Sequence, residues 1–480
     1  MRRDCACSRP LSLSFFQEMN ESSGRISARG KVFRDPVHGL IRIESEDAVL
    51  LDLIDTPEFQ RLRRIRQLGV SCLTYPGAEH SRFQHSLGVL NFAQRILAAL
   101  EHRYRHESQA AQLIRDHAHT VKCAALLHDV GHGPFSHMIE RAFGVLSDHE
   151  QRTVDVVMAP DSGVNQALRA HGVDPEAVRD LIKKASPHRL LVDIVSSQLD
   201  ADRMDYILRD ALATGVKYGA FDSEWLLGSL CIGSEPQSDN PGDPTQWRLC
   251  LDERRGLHSA EQLIVARLHM SLQVYYHRAT RGWEAHLLCL FKQAAELARD
   301  SRLPGATPEL VTRFFASDGG LSLAESLLLD EASLICAMQV WAGSSAEEHR
   351  DLAELSSAFL YRKKLYLGHE LGGMKSGQAM RLAHDLHQFG KENRDWLLDP
   401  SEFSSYKDFD SIFATSRHKE AGRSSTAALL LSSGTLGEVS RPVEQDSAIF
   451  QTLGKSRGPT SGRVYSHRRI SEKVRQLLAG

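Results

Sequence analysis

Apolar residues recur at intervals of three and four positions through most of this chain, the period of a helix packed on one side. From Lys31 to about Asp222 the pattern predicts helix after helix. Glycine and proline interrupt it at 75–77 and again at 131–134. A core built from helices is therefore the first expectation for the fold.

The pattern changes after residue 222. Residues 233–246 carry three prolines and almost no apolar groups, between the apolar segments Leu226–Ile232 and Trp247–Leu251. Two short strands joined by a loop, a small β-hairpin, are predicted there. A helical pattern resumes over Glu261–Arg281.

Amphipathic helices are predicted from about Pro308 onward, and the end of the chain, Gly462–Leu478, predicts a short strand followed by a charged helix. The polar segment 1–29 predicts a flexible tail, and the serine-rich stretch near 416–440 predicts a flexible linker. The expected fold class is mainly α. A core domain is expected over residues 30–300, and a C-terminal helical lobe with some β structure over 301–480.

Composition narrows the function classes. The chain has 480 residues, 42% of them hydrophobic and 25% charged, and a net charge of −3 gives no general signal for binding polyanions. Its eight cysteines have neither a disulfide-framework spacing nor a zinc-finger spacing, which favours reduced thiols. The apolar stretch Leu11–Phe16 is too short for a signal peptide or a membrane span. A cytoplasmic protein without membrane association is expected.

One adjacent pair carries candidate chemistry. His128 and Asp129 close an apolar helical run and precede the glycine turn at 131–134. Imidazole nitrogen and carboxylate oxygen together suit a divalent metal ion, which can polarise a phosphate and acidify water. A capping aspartate beside a core histidine is the alternative. His85 and Asp202 are candidate partners, because the order His, His-Asp, Asp would give four ligands from three helices.

Helical spacing places these partners on definite faces. His85 heads the apolar stripe of Val89, Phe92 and Ile96, which points it inward; a hydrogen-bonded core histidine is the alternative. In the helix of Asp202, residues three or four positions apart lie on the same face, and two faces can be distinguished. A polar face predicted to line a cleft holds Asp202, Tyr206, Arg209 and Asp210, and an apolar face predicted to pack into a core holds Met204, Ile207, Leu208 and Ala211. A merely solvated polar face is the alternative.

Several blocks together carry a resemblance to a known family. Between Lys31 and Arg281 the chain resembles the HD-domain deoxynucleoside triphosphate triphosphohydrolases, which include the vertebrate SAM-and-HD-domain enzyme and bacterial dGTPase-like relatives. No SAM domain is part of the resemblance. The segments that carry it are 35–39, 55–63, 82–89, 127–137 and 200–210.

The resemblance implies one divalent metal ion per subunit, of the Mg, Mn, Fe or Zn kind, held by His85, His128, Asp129 and Asp202. It implies a reaction in which water attacks the α-phosphorus of a deoxynucleoside triphosphate and releases the deoxynucleoside and inorganic triphosphate. Proton transfer in such a reaction suits histidine. By resemblance His132, His137 and His149 are the catalytic histidines, with His149-Glu150 similar to the family's His-Glu pair; turn and helix-start roles are the alternative for His132 and His137.

The substrate contacts implied by the resemblance fall into three groups. Cations for the phosphates are Arg82, Arg203 and Arg267, with Arg203 standing where some relatives have lysine. The deoxyribose contacts are Tyr206 and Asp210, and Gln67 and Leu68 crowd the 2′ position. Tyr275 is placed at the nucleotide, with a packed interface aromatic as the alternative.

Four arginines fall within residues 61–66, a run that is usually a solvated helix face. Here Asp55, Gln60 and Arg63 resemble the family's guanine-recognising allosteric site. The resemblance implies an activating nucleotide, GTP or a deoxynucleotide, and a homo-oligomer from dimer to tetramer or hexamer, buttressed by the C-terminal lobe. Arg34 departs from the vertebrate pattern, which has asparagine in its second nucleotide pocket.

Three functions are compatible with these residues. The first is a nucleotide-activated deoxynucleoside triphosphate triphosphohydrolase. The second is an HD phosphohydrolase acting on a monophosphate, a cyclic dinucleotide or an alarmone, which the pair Gln67-Leu68 argues against. The third is a non-catalytic module that binds nucleotides or nucleic acid; single-stranded nucleic acid as a partner has no support in the sequence.

Overall fold

A computed structural model describes residues 30–135, 137–144, 148–236, 238–371, 376–399, 429–455 and 462–479. The expectation of a mainly helical fold is confirmed. The tail predicted over 1–29 lies outside the described residues. The helices of the N-terminal half are α1 (Ala48–Asp55), α2 (Pro57–Gln60), α3 (Arg82–Arg103), α4 (Ser108–Leu127), α5 (His137–Phe143), α6 (His149–Met158), α7 (Gly163–Ala170), α8 (Pro175–Ile182), α9 (Arg189–Val195), α10 (Ala201–Thr214) and α11 (Ser223–Gly228).

Further helices and nine short strands complete the described chain. The helices are α12 (Leu257–Met270), α13 (Arg278–Arg299), α14 (Glu309–Ala316), α15 (Leu323–Leu328), α16 (Glu331–Ala342), α17 (Arg350–Leu360), α18 (Ser376–His387), α19 (Ala448–Lys455) and α20 (Arg468–Ala479). The strands are β1 (Lys31–Asp35), β2 (Gly39–Ile43), β3 (Leu230–Ser234), β4 (Trp247–Asp252), β5 (Tyr366–Glu370), β6 (Trp396–Asp399), β7 (Leu430–Ser432), β8 (Arg441–Pro442) and β9 (Arg463–His467).

The first elements are strands, so the prediction of helix from Lys31 was wrong. β1 pairs antiparallel with β2, and Asp35 lies opposite Gly39. The turn between them is built by Asp35, whose Oδ1 accepts hydrogen bonds from the backbone N–H groups of Val37 (2.9 Å) and His38 (3.0 Å). Ile41 and Ile43 are buried two residues apart, the strand period that the helical interpretation overlooked.

The predicted β-hairpin over residues 226–251 is present as β3 and β4, which pair antiparallel with Cys231 opposite Cys250. Residues 226–228 belong to α11 rather than to the strand. β7 joins β4 in parallel, and β8 completes the order β3-β4-β7-β8. β7 lies within the stretch near 416–440 that was predicted to be flexible; residues 416–428 of that stretch lie outside the described residues.

The helix predicted over Glu261–Arg281 is interrupted. α12 ends at Met270, and one π-helical turn follows over Ser271–Tyr275, closed by a hydrogen bond from the Tyr276 N–H to the Ser271 carbonyl (2.8 Å). His277 then takes an extended conformation and caps α13, its Nδ1 accepting from the Ala279 N–H (3.2 Å). The turn changes the direction of the chain directly after Tyr275.

Three apolar clusters form the interior. The first and largest contains residues of strands β2, β3, β4 and β7 and of most helices between α1 and α12. Phe450 of α19 also packs in this cluster. The second is built mainly from α13 to α17, and the third lies between α18, β6, β9 and α20. The division at residue 300 stays a prediction. No helix within the described ranges combines the length and apolar character that crossing a bilayer requires.

A buried ion cluster ties the hairpin to the helices of the first core. Arg209 of α10 is 2% exposed and donates to Asp35 of the hairpin (2.8 and 3.2 Å) and to Asp205 one turn earlier on α10 (2.8 and 2.9 Å). Gly88 of α3 faces this cluster. A Cβ on Gly88 would lie 1.8 Å from Asp205 Oδ1 and 2.5 Å from Arg209 Nη2, so only glycine permits α3 to approach this closely.

Gly88→Ala is expected to lower the free energy of unfolding by about 3 kcal/mol, because the added methyl group must separate a buried, hydrogen-bonded ion pair. Urea unfolding followed by circular dichroism measures the change. Gly228→Ala is the matched control, since a Cβ there meets no atom within 4 Å; it should change stability by less than about 1 kcal/mol. Equal effects of the two substitutions would contradict the packing argument.

Candidate metal centre and nucleotide site

Three helices bring the predicted metal ligands together. His85 lies in the first turn of α3, His128 follows the end of α4, and Asp202 lies in the first turn of α10. Asp202 Oδ1 is 3.1 Å from His85 Nε2 and 3.7 Å from His128 Nε2. Ligand atoms of these three residues all lie within 4.8 Å of one another, a grouping that could hold one metal ion.

Asp129 lies beside this group and links it to a cation. Its Oδ1 is 3.5 Å from His128 Nε2 and its Oδ2 is 3.8 Å from His85 Nε2, while Oδ2 also accepts a hydrogen bond from Arg82. Burial alone would raise the pKa of Asp129, but the guanidinium of Arg82 and the neighbouring histidines hold it well below its ordinary value. Asp129 is therefore a carboxylate, as a metal ligand must be.

The bonding of His128 tests whether a cation fits. Its Nδ1 lies 2.9 Å from the carbonyl oxygen of Ala125, so Nδ1 carries the proton that this bond requires. Its Nε2 is buried, has no hydrogen-bond partner among the described residues, and faces Asp129 Oδ1 (3.5 Å) and Asp202 Oδ1 (3.7 Å). A divalent cation between these groups would bind the ring nitrogen and both carboxylates at once, so the residues present fit a metal ion.

His85 is held from behind by residues that the sequence analysis did not assign to the site. Its Nδ1 lies 2.8 Å from Asp205 Oδ2, and Asp205 Oδ1 lies 2.7 Å from His38 Nε2. Burial lowers the pKa of His85, but Asp202 and Asp205 outweigh it and raise the pKa to about 10. Arg209, predicted to line a cleft, holds Asp205 in the buried ion cluster and lies in the lining of a cleft beside Arg63. The spacing Asp202-Asp205 and the block at 35–39 were the available signals.

The three predicted catalytic histidines form a second group next to Asp129. His132 Nε2 is 3.4 Å from Asp129 Oδ1, and the His132 ring stacks on that of His149 with centroids 3.8 Å apart. His137 lies edge-on to both rings, with centroids 5.4 and 5.3 Å away. The acid of this group is Glu140, which accepts from Nδ1 of His149 (2.5 Å) and of His137 (3.0 Å).

Glu140, rather than the Glu150 that follows His149 in sequence, is thus the carboxylate bonded to His149. Glu150 belongs to the first turn of α6, where its N–H donates to Asp148 (2.9 Å). Glu140 occurs three residues after His137, a helical spacing that could have indicated the pair. Its own pKa would be raised by burial, but the two histidines lower it far below the ordinary value.

The pKa values of His132 and His149 are shifted in opposite directions because their electrostatic environments differ. Burial and the charge of Arg82 lower the pKa of His132 well below 6.5, so this ring is neutral. Burial also disfavours charge on His149, but its hydrogen bond to Glu140 prevails and raises its pKa. A neutral and a more basic imidazole stacked together is the arrangement expected where one residue holds a proton and its neighbour does not.

The glycine turn fixes these histidines against α6. Gly131 donates its N–H to Thr153 Oγ1 (3.0 Å), and the same hydroxyl donates to the His128 carbonyl (3.3 Å). A Cβ on Gly131 would lie 2.2 Å from the Thr153 backbone nitrogen. Glycine therefore allows the turn to lie directly on the first turns of α6, where His149 begins the helix.

The residues predicted to contact a nucleoside form a cluster along α10. Tyr206 lies edge-on to Tyr275, with ring centroids 6.2 Å apart, and the Tyr275 hydroxyl donates to Asp210 Oδ2 (2.8 Å). His80, which the sequence analysis did not single out, lies with Nε2 2.8 Å from Asp210 Oδ1. Gln67 donates its backbone N–H to the His80 carbonyl (3.0 Å) and leaves its buried side-chain oxygen without a partner.

The remaining predicted contacts surround this cluster to different degrees. Arg203 hydrogen-bonds Asp200 at the start of α10. Arg267 is half-buried on α12, and its charge opposes the burial that raises the pKa of Tyr206. Leu68 is half-buried and packs against the first apolar cluster.

The predicted allosteric residues lie on the surface around α2. The Gln60 side chain donates to the Ile54 carbonyl (2.7 Å) and accepts from Arg63 Nε (2.7 Å). The Arg63 guanidinium lies 3.5 Å above the ring of Phe83, and Asp55 is exposed. Arg63 also lines a cleft of about 440 Å³.

Comparison with known proteins defines the class to which this fold and site belong. The HD domain family matches residues 82–209, which contain all four predicted metal ligands and all three predicted catalytic histidines. The chain belongs to the HD-domain family, a phosphohydrolase superfamily, which supports a metal-dependent hydrolase. It is 34% identical over 472 residues to the uncharacterized protein YwfO of Bacillus subtilis, covering 95% of this chain and 98% of that protein.

Other relatives are similar over shorter stretches or in fold alone. The deoxynucleoside triphosphate triphosphohydrolase SAMHD1 of Bos taurus is 32% identical over 276 residues, which cover 49% of this chain and 46% of that protein. The chain thus spans about half the length of this relative. A crystal structure of a phosphohydrolase from Bacteroides thetaiotaomicron matches with a TM-score of 0.68 at 24% identity, covering 91% of this chain and all of that one, and it shares the fold.

Asp205→Asn is expected to weaken metal binding about 10-fold to 100-fold, because the amide no longer holds His85 in the ligand tautomer. Metal content after equilibration at graded free Mn²⁺ concentrations measures the affinity. Asp193→Asn is the matched control: Asp193 is equally buried and pairs with Arg248 (2.7 and 3.0 Å) away from the site. If both variants bind Mn²⁺ like the unsubstituted protein, Asp205 does not position the ligand.

Proposed function

We propose that the protein is a metal-dependent deoxynucleoside triphosphate triphosphohydrolase that is activated by a nucleotide. The substrate is a deoxynucleoside triphosphate, and the products are the deoxynucleoside and inorganic triphosphate. Similarity to SAMHD1 over half of the chain supports this proposal, and so does the arrangement of side chains around α10.

The observation that carries the proposal is a ladder on one face of α10. Asp202, Tyr206 and Asp210 follow one another at intervals of four residues, so a metal ligand, an aromatic ring and a second acid lie in a row. An aromatic ring provides a stacking surface for a sugar, and a carboxylate accepts from a sugar hydroxyl. A phosphate bound at the metal would then have its nucleoside directed along the helix.

Cations in the proposed site match the charge of a triphosphate. Arg82 hydrogen-bonds Asp129, and Arg203 hydrogen-bonds Asp200, two residues before Asp202. Arg267 lies near Tyr206 and Tyr275. Guanidinium groups bind phosphate oxygens with paired, charge-assisted hydrogen bonds. Each of these arginines would exchange or extend its present contacts when a polyphosphate enters.

The bound metal would polarise the α-phosphate and increase the acidity of a water molecule. In the proposal His149, whose hydrogen bond to Glu140 raises its pKa, is the proton donor of the reaction. His132, which stays neutral, accepts a hydrogen bond from or orients the attacking water. Gln67 and Leu68 exclude a 2′ hydroxyl, and Asp210 accepts from the 3′ hydroxyl.

Purified protein with Mg²⁺ or Mn²⁺ is expected to convert deoxynucleoside triphosphates into deoxynucleosides and inorganic triphosphate, resolved by ion-exchange chromatography. In H₂¹⁸O the label should appear in the triphosphate, because attack at the α-phosphorus breaks the bond to the 5′ oxygen. Asp129→Ala should lower kcat at least about 100-fold, since it removes a preorganised charge at the metal.

Asp155→Ala is the control for that substitution, because Asp155 is an exposed residue of α6 that bonds only Gln151 among the described side chains. It should leave the rate unchanged. Formation of nucleoside monophosphate or diphosphate in place of the deoxynucleoside would refute cleavage of the bond between the α-phosphorus and the 5′ oxygen. Turnover of monophosphates or cyclic dinucleotides in preference to triphosphates would favour another HD phosphohydrolase activity.

Activation by a nucleotide is the regulatory part of the proposal. The exposed Arg63 guanidinium, stacked on Phe83 and bonded to Gln60, presents a cation beside an open cleft. A guanine nucleotide bound there between two copies of the chain would link activation to the assembly of a homo-oligomer.

Arg63→Ala is expected to raise the GTP concentration needed for half-maximal activation at least about tenfold, because it removes a charge-assisted contact. Arg64→Ala is the neighbouring control: Arg64 is also exposed but pairs with Asp330. Rates measured over a GTP series, together with sedimentation velocity with and without GTP, test both parts. Equal GTP dependence in the two variants would contradict a role for Arg63.

A further inference from the structure

Two arginines beside the glycine turn, Arg61 and Arg152, have no carboxylate of the described residues bonded to them. Arg61 is 2% exposed, and its Nη2 donates to the His132 carbonyl (2.7 Å) while its Nε donates to the Leu329 carbonyl (3.3 Å). Its Nη1 is buried and has no hydrogen-bond partner within the described part of the chain. A fully buried guanidinium is normally paired with an acid, so its arrangement here requires an explanation.

Arg152 approaches the same peptide from α6. It lies three residues after His149, on the same side of the helix, and is half-buried. Its Nη1 is 3.7 Å from the position that a Cβ would occupy on Gly133. Its guanidinium forms no hydrogen bond or ion pair with any residue that the structure describes. Arg61 and Arg152 therefore flank the His132–Gly133 peptide from two directions.

The acids near these arginines are occupied elsewhere or are too distant to pair with them. Glu140, Asp148 and Asp155 attract Arg152 only at longer range than an ion pair, and Glu140 is already bonded to two histidines. Burial and the charge of Arg152 lower the pKa of Arg61 to about 9. Two like charges held close together in a poorly solvated place favour an anion between them.

We propose that Arg152 binds the distal phosphate of the substrate, with Arg61 holding the turn and adding its charge from behind. The inference rests on the proposed function and extends it. Contacts on either side of the metal group support it: Tyr206 and Asp210 follow Asp202 along α10, whereas Asp129 lies 3.4 Å from His132, whose peptide to Gly133 faces Arg152. A triphosphate whose α-phosphate lies at the metal extends toward Arg152.

A second metal ion is the competing occupant of this end, because His132, Glu140 and His149 also offer ligand atoms within 4.8 Å of one another. Two arginines with no bonded acid beside that group disfavour a further cation and favour an anion. The two occupants respond oppositely to loss of Arg152: an anion would bind more weakly, and a cation more tightly.

Inorganic tripolyphosphate, titrated calorimetrically as its magnesium complex into metal-loaded protein, tests the site. Arg152→Gln is expected to weaken binding at least about tenfold, because two charge-assisted hydrogen bonds are lost. Arg152→Lys keeps the charge but not the paired geometry and should give an intermediate affinity. Arg179→Gln is the control for net charge, since Arg179 pairs with Asp180 on α8 (2.8 Å).

Metal content and thermal unfolding are measured on every variant, so that a damaged metal site or fold is recognised. Wild-type tripolyphosphate affinity in Arg152→Gln, or tighter metal binding with unchanged tripolyphosphate affinity, overturns the inference. Should Arg152→Gln fail to fold, wild-type affinity in Arg152→Lys overturns it and a loss of several-fold supports it. Because the titration needs no turnover, it decides the inference even if the protein hydrolyses no deoxynucleoside triphosphate.

Discussion

The structure depends on the pairing of one buried arginine. Arg209 bonds Asp35 of the N-terminal hairpin and Asp205 of its own helix, and Asp205 in turn bonds His85 and His38. Pairing stabilises Arg209, because an isolated guanidinium in this interior would cost several kcal/mol. That requirement fixes the hairpin, α3 and α10 relative to one another. The position of the metal ligand His85 follows from the same set of bonds.

Acidic and basic side chains alternate across the candidate site, beginning at Asp205 and His85. His85 and Asp202 face His128, Asp129 joins them to Arg82 and His132, and Glu140 supports His149 and His137. Acids and bases that neighbour one another in this way acquire pKa values far from their ordinary ones without net charge accumulating. The exception is the end beside Gly133, where two arginines lack bonded acids. The charges therefore favour a cation at the group of His85, His128 and Asp202, and an anion beside Arg152.

Most of the candidate site could be predicted from the sequence for an identifiable reason. The candidate metal ligands and catalytic histidines occur in compact blocks whose residue types are chemically specific, so His128-Asp129 and the turn to His137 stand out without any knowledge of contacts. Positions read from helical period also held: the stripe behind His85 is buried, and Met204, Ile207 and Ala211 pack into the core. Errors arose where a short turn or one changed hydrogen bond decided the structure. The hairpin at Asp35 and the π-helical turn before Tyr276 are both of this kind, since local hydrogen bonds override a longer apolar period there.

By itself the sequence determined the helical class and predicted a ligand set and nucleotide-contacting residues, because the class depends on apolar spacing along each helix and the predictions on specific residue types in short blocks. Only the tertiary structure decided which acidic side chain is hydrogen-bonded to which histidine or arginine. Glu140, not Glu150, holds His149; Asp205 rather than solvent orients His85; and Arg61 and Arg152 meet at one peptide although 91 positions separate them. Such pairings depend on distances between helices that are far apart in the chain. Packing sets these distances; at Gly88, for example, the absence of a side chain lets α3 approach α10 closely. Spacing along one element carries no information about them.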